Sequence, residues 1–434
     1  MFRMRRDFFG FFRGLADEYG DVVGFRMGKQ PFVVVNHPDL IRDVLVTQQR
    51  NFAKGRALER ARRLLGNGLL TSEGEFHLRQ RRLAQPAFHR DRIASYATSM
   101  IQYAGRWRDR WEDGTTVDMH EEMMRLTLAV VGKTLFDADV EEESHEIGDA
   151  LTYVLDSFSV SMLPYAELLE KLPLPSTRKF ARARSRLDET IYRIIDERRA
   201  SGEDRGDLLS MLIQASDTEG DDSGMSNEQL RDEALTIFLA GHETTANAMT
   251  WTWYLLSQHP DVVARLHAEV DALAAEPVAA DVMRLPYTRQ VVAESMRLYP
   301  PAYAIGRRAL QSCDIGAFTI PSRTIVLTSP YLQHHDARWF PEPERFDPDR
   351  WLAERIAERP KFSYFPFGAG TRICIGEQFA WTEAILMLAT LTQRWAPTLV
   401  PGHPVRLQPR ITLRPKDGMR MILHKRVFTT SSSA

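Results

Sequence analysis

Cysteine is nearly missing: among 434 residues only Cys313 and Cys374 carry a thiol. Two cysteines exclude a disulfide framework and a multi-cysteine zinc site, and they suit a reducing compartment. Long apolar runs are missing too, since no stretch reaches the roughly 18 residues of a membrane span. The opening MFRMRRDFFGFFRGLADEYG mixes Arg with Phe and lacks the continuous apolar core and cleavage site of a signal peptide. It is predicted to be an amphipathic first helix that packs on the body. Net charge is small, at −2, so no global field points to nucleic acid. What is present is a globular mixture, 44% hydrophobic and 26% charged. The length allows one large domain or two ordinary ones, but no internal repeat and no separating linker is visible.

Helix dominates the pattern. Segments 91–112, 117–136, 144–161 and 175–200 repeat apolar residues every three to four positions. DVVGFRMGKQPFVVV reads as a hairpin, RTIVLTSP as a strand, and RLQPRITLRP as a third strand region. SGEDRGD and DTEGDDSGMS are acidic loops, and the tail 429–434 is predicted to be disordered.

Ser226-Asn227-Glu228-Gln229 is a capping-box signature and Pro260 a stop, so one long helix is predicted between them. Its centre, LAGHETTANA, is costly for a helix interior: Gly loses about 1 kcal/mol against Ala, and Thr roughly half that. Gly241 lets something bulky approach, and Thr hydroxyls compete for backbone carbonyls. A buried Glu243 must be paired or used. A zinc HExxH site is excluded because Ala246 stands where the second His belongs. A kinked core helix with an ion-paired Glu243 is the plain alternative.

FPFGAGTRICIGEQ, residues 365–378, sets Cys374 in a glycine-rich loop before an apolar helix. Free N–H groups and the helix dipole there favour an anion, so a lowered thiol pKa is expected. Glycines let the backbone lie against a large flat ligand and donate N–H groups to sulfur. A dinucleotide loop fails because the third glycine of GxGxxG would fall at Ile373.

FGAGTRICIG resembles the haem-ligand signature of the cytochrome P450 family, Phe-x-x-Gly-x-Arg-x-Cys-x-Gly, with every specified position filled. LAGHETT resembles that family's oxygen-activation segment, ESMR its Glu-x-x-Arg motif, and PEPERF the loop completing its ion cluster. The resemblance covers essentially the whole chain. It implies a mainly α fold, a triangular helical prism with a small β-rich lobe near 20–36 and 305–330. Residues 1–434 would form one domain holding haem b.

The resemblance further implies Cys374 as iron ligand, with Phe367, Gly368 and Gly376 shaping its loop. His77, Arg81, Arg372 and Arg307 would hold the propionates, with Arg308 the alternative to Arg307. Ala240 and Gly241 would leave room above the iron. Thr244 would face dioxygen while Glu243 relays protons through a local opening of the helix. Glu294 and Arg297, joined by Arg345, would be structural. Leu70, Ala302, Ile305 and Ile411 would line a substrate pocket roofed by 155–180.

The implied reaction inserts one oxygen atom of O2 into an apolar molecule, a fatty acid or terpenoid, by hydroxylation or epoxidation. The chain resembles soluble bacterial members near the fatty-acid hydroxylases, and a cytoplasmic monomer with no membrane span is expected. No reductase module is fused in this reading. NAD(P)H would therefore act through a ferredoxin or flavodoxin docking near Arg79, Arg82, Arg90 and Lys361. The alternatives are a peroxide-using or isomerising haem-thiolate enzyme and a non-catalytic haem sensor.

Overall fold

The computed structural model describes residues 7–137, 148, 150, 153, 174–215, 224–273 and 275–426. Helix α1 (Phe8–Tyr19) is capped by Asp7, whose carboxylate accepts from Gly10 N at 2.8 Å. Its Phe9 ring stacks on Tyr331 and its Phe12 is buried, so the predicted first helix packs on the body. The predicted hairpin is β1 (Val22–Met27) antiparallel to β2 (Gln30–Val35). Strand β3 (Phe52–Lys54) precedes helices α2 (Gly74–Ala84), α3 (Arg90–Arg110) and α4 (Met119–Phe136). Helix α5 (Pro175–Ser201) and the long α6 (Asn227–Gln258) follow. Then come α7 (Pro260–Asp271), α8 (Pro286–Leu298), β4 (Ile305–Ala309), β5 (Ile325–Thr328) and α9 (Glu377–Thr392). Strands β6 (Leu407–Pro409) and β7 (Leu413–Pro415) close the element order relevant here.

Three predicted helices match α3, α4 and α5 within about two residues. All but three residues of the predicted helix 144–161, most of the predicted roof 155–180 and the tail 429–434 lie outside the described residues.

One five-stranded sheet runs β1-β2-β5-β4-β3, with β2 and β5 parallel and the other pairs antiparallel. It places Lys54 opposite Arg307 in register. The main hydrophobic cluster draws on residues from Ala61 to Leu423 and is built chiefly by α3, α4, α6, α8 and α9.

Helix α6 explains this arrangement. Ser226 Oγ accepts from Gln229 N at 3.2 Å while Gln229 Oε1 accepts from Ser226 N at 2.8 Å, the reciprocal box read from sequence. Its 32 residues span about 48 Å at 1.5 Å per residue. From Leu230 to Leu256 the helix is buried except at Ala240, Gly241, Thr244 and Tyr254. Large side chains on the other faces, with Trp251 and Trp253 fully enclosed, fix it in the core.

Candidate active site

Ala240 and Thr244 are one turn apart on α6 and therefore share a face. Both are accessible in a helix buried on every other side at that level, Ala240 fully and Thr244 partly. An apolar helix centre that is accessible while its ends are sealed borders an internal gap. Gly241, three residues before Thr244, is partly accessible as well. A Cβ there would meet Val131 of α4 at 3.1 Å, so this glycine also allows close helix packing.

The expected opening of the ladder is also absent. Helix α6 is continuous, because Thr244 Oγ1 donates to Ala240 O at 2.7 Å and Thr245 Oγ1 to Gly241 O at 3.3 Å. The hydroxyls add bonds to the backbone instead of breaking it.

Glu243 corrects a second expectation. It is 2% exposed, its Oε1 accepts from Arg414 Nε at 2.6 Å, and it also accepts from the Thr412 hydroxyl. A carboxylate so held is a buried ion-pair partner joining α6 to β7. The ion pair of the plain alternative is present without its kink, and its partner was not visible in sequence. His242 is enclosed beside it, with Nδ1 3.2 Å from Phe238 O.

Cys374 lies between the short turn Gly370–Arg372 and α9, whose N-cap is Gly376. Gly368 and Gly370 both have φ of +71°, a region that suits glycine, and Cys374 N donates to Phe367 O at 3.0 Å. These bonds fold the loop and leave Cys374 exposed, while α9 is buried from Glu383 onward. The protein packed around the sulfur nonetheless pushes the thiol up to about 11, chiefly by desolvation. The Gly376 N–H bond and the Arg81 charge oppose that without overcoming it. The lowered pKa expected from the helix terminus is therefore not seen in the protein alone; a bound metal would deprotonate the thiol outright.

Beside this loop lies a cluster of buried cations. Arg372 donates to Ser72 O at 2.8 Å and pairs with Glu73. Arg307, opposite Lys54, has its pKa lowered to about 10 by burial and by Arg372. Arg308, its neighbour on β4, pairs with Glu59 at 2.6 Å, which leaves Arg307 as the candidate of the two. Lys54, which sequence reasoning missed, is 5% exposed and donates to Leu69 O at 3.0 Å and to Leu70 O. Burial, then Arg372, lowers its pKa to about 6. His77 is 3% exposed and uses Nδ1 on Leu69 O at 3.1 Å, while its Nε2 is buried without a partner. Arg81 donates to Ile373 O at 2.7 Å and so grips the cysteine loop itself.

Of these groups Arg372 pairs with the Glu73 carboxylate, which also lies near Arg307 and Lys54, while Glu233 also acts on Lys54. Buried Arg307 and Arg372 call for anions, and an anion placed there would favour the protonated forms of Lys54 and His77, turning the orphan Nε2 into a donor. Two carboxylates on a flat ring, with Cys374 on one side and an open helix face on the other, match that deficit. The residues fit a haem.

The structural ion cluster behind the loop differs from expectation in one member. Arg297 and Glu294 are both fully buried and form two hydrogen bonds of 2.9 Å. Arg345 contributes only its backbone carbonyl to Arg297, at 3.1 Å, while its exposed side chain turns to Glu342. The third member is Arg350, with Nε 3.3 Å from Glu294, and Trp351 Nε1 donates to the same carboxylate at 3.0 Å. The signal available was the DRW triplet just beyond PEPERF.

Of the expected pocket residues, Leu70 and Ile411 are 38% and 37% exposed, Ala302 is exposed and Ile305 half-buried. Ile305 approaches Gly368 of the cysteine loop, its Cδ1 3.6 Å from where a Cβ would stand. Leu69, next to Leu70, is bound through its N–H to Glu233 at 2.9 Å, a second contact that the sequence did not reveal. Arg82, Arg90 and Lys361 are exposed, whereas Arg79 is half-buried and donates to Gly224 O. Among the described residues no helix is long and apolar enough to cross a membrane.

Residues 1–421 match the family model described as Cytochrome P450. The chain is 42% identical to cyclooctatin synthase of Streptomyces melanosporofaciens, over 91% of this chain and 87% of that protein. It is 39% identical to cyclooctat-9-en-7-ol 5-monooxygenase of the same organism, over 88% and 84%. It is 35% identical to pentalenene oxygenase of Streptomyces avermitilis, over 93% and 92%. The solved structure of retinoic acid bound cyanobacterial CYP120A1 superposes with a TM-score of 0.87 at 28% identity, covering 98% of this chain and 96% of that one. The chain belongs to the cytochrome P450 family, haem-thiolate monooxygenases that use dioxygen.

Proposed function

We propose that this enzyme inserts one oxygen atom of O2 into an apolar substrate of the terpenoid class, with electrons from a separate ferredoxin or flavodoxin-type donor. The observation that carries the reading is the join of three features in one place: an accessible Cys374, a cation cluster short of anions, and the Ala240–Thr244 face of α6. The names of the relatives, which include a pentalenene oxygenase and a cyclooctat-9-en-7-ol monooxygenase, support the substrate class. The apolar character of Leu70, Ala302, Ile305 and Ile411 agrees with it. Residues 1–434 are taken as one working unit, since the core joins Ala61 to Leu423.

When bound, haem supplies the redox chemistry, and a thiolate ligand favours O–O cleavage. Cys374 provides that thiolate, and the Gly376 N–H and the Arg81 charge stabilise its negative form. His77 Nε2, Arg307, Arg372 and Lys54 hold the ring's carboxylates. Thr244 presents its hydroxyl on the open face, where it can turn from the Ala240 carbonyl and place a proton. Glu243 is assigned a positioning role, because Arg414 and Thr412 occupy its carboxylate. Arg82, Arg90 and Lys361 offer positive charge to an acidic electron donor.

The test is NADPH-driven turnover with surrogate ferredoxin and flavodoxin systems, on cyclic terpenes, terpene alcohols and fatty acids. Oxygenated terpenoid products that need the donor support the reading. Equal turnover with peroxide alone, or fatty acids as the better substrates, contradicts it.

A further inference from the structure

Gly66-Asn67-Gly68 leads into Leu69 and Leu70 and lies close against the first turns of α6. A Cβ at Gly68 would overlap the Thr236 hydroxyl and stand 2.5 Å from Asp232 O, so the missing side chain is what lets the two backbones meet. Three successive residues of α6 then each take one backbone group of this strap. Arg231 donates to Leu64 O at 3.1 Å, Asp232 Oδ2 accepts from Asn67 N at 2.6 Å, and Glu233 Oε2 accepts from Leu69 N at 2.9 Å.

The carbonyl end of Leu69 is held as firmly. Lys54 donates to Leu69 O at 3.0 Å and to Leu70 O, and His77 Nδ1 is 3.1 Å from Leu69 O. Arg62 donates to Thr71 O at 2.9 Å just beyond. Leu69 is buried and Leu70 is exposed. With the N–H of Leu69 and the carbonyls of both leucines fixed, few backbone torsions are left to turn the Leu70 side chain elsewhere. Glu233 is a costly residue for this duty. It is buried, its Oε1 has no partner, and burial pushes its carboxyl up to about 7 against the pull of the Leu69 N–H. Without it, the Leu69 N–H would be buried and unpaired.

We propose that Glu233 is a specificity-determining positioning residue: by holding the Leu69 N–H it fixes the 66–71 strap against α6 and sets where Leu70 stands in the substrate pocket. This rests on Leu70 lining the pocket of a haem-loaded oxygenase, as proposed above.

The test is Soret titration of the haem-loaded full chain with two azoles. Imidazole needs only the iron, whereas the rings of 1-(biphenyl-4-yl)imidazole must also fit the pocket. Leu70→Ala should weaken the larger azole roughly threefold to tenfold relative to imidazole. Glu233→Met fills the same space without an acceptor, so the strap must be ordered on binding; it should give a loss of similar size in the same direction. Glu233→Gln keeps an acceptor and should stay within about twofold of the parent. The double variant Glu233→Met, Leu70→Ala should lose no more than Leu70→Ala alone, because one residue acts through the other. Gly68→Ala pushes the strap off α6 from its own side and should behave as Glu233→Met does, which keeps the test open if Glu233→Met does not fold. Equal changes for both azoles in these variants, additive losses in the double variant, or a parental ratio in Glu233→Met while Leu70→Ala lowers it would overturn the proposal. A parental ratio in Leu70→Ala itself would instead overturn the pocket reading, and the proposal with it.

Discussion

Glu243 and Arg414 form an ion pair of 2.6 Å, 2% and 7% exposed, that ties the centre of α6 to strand β7. Buried charge is costly unless matched, so the pair acts as a fastener whose halves are dangerous alone. Arg414→Ala should lower stability by about 3–5 kcal/mol because it strands the Glu243 carboxylate. The double variant Glu243→Gln, Arg414→Met should recover much of that loss. Urea denaturation of the three proteins measures both effects.

Thr244 and Glu243 are neighbours in sequence with different duties. Thr244→Ala should leave folding nearly unchanged, since among the described residues its hydroxyl bonds only the Ala240 carbonyl. It should raise the electrons consumed per product formed, because the accessible hydroxyl of the open face is lost. Cofactor oxidation measured alongside product formation checks this, and unchanged coupling would remove Thr244 from the chemistry.

Arg350, not Arg345, completes the buried cluster around Glu294. Arg350→Ala should cost about 3 kcal/mol or more. Arg345→Ala should stay within about 0.5 kcal/mol, because its pair with Glu342 is a surface one. Thermal or denaturant unfolding of both variants, side by side, separates the two assignments.

Glu383 on α9 is fully buried against Thr245, and burial raises its pKa from 4.5 to about 8. The native state therefore keeps a proton that the unfolded chain releases. The associated stability is complete below about pH 4.5 and falls as pH rises through 8. Glu383→Gln should flatten the stability–pH profile in that window relative to the parent. Denaturation curves at a series of pH values test the difference, and parallel profiles would contradict it.

The parts of this molecule readable in the sequence are those set by local chemistry. The capping box at Ser226, the hairpin around Gly28 and the turn that lifts Cys374 are each fixed by residues close together in the chain. Long-range partners were not readable. Nothing near Glu243 announces Arg414, because the partner arrives on a strand far along the chain. Nothing in the sequence singled out Lys54; only the pairing of β3 with β4 sets it opposite Arg307. Gly241 is a similar case: a missing side chain signals close approach, but only the fold shows that Val131 is one group that approaches. Arg345 and Arg350 stand five positions apart in one loop, and their backbone turns alone decide which side chain enters.

The most direct test is the absorption spectrum of the reduced, carbon monoxide-bound protein, recorded for the parent and for Cys374→Ser. Thiolate ligation by Cys374 predicts the thiolate-type Soret band in the parent and its loss in the variant. An imidazole-type band in the parent, or an unaltered spectrum after the substitution, would contradict it.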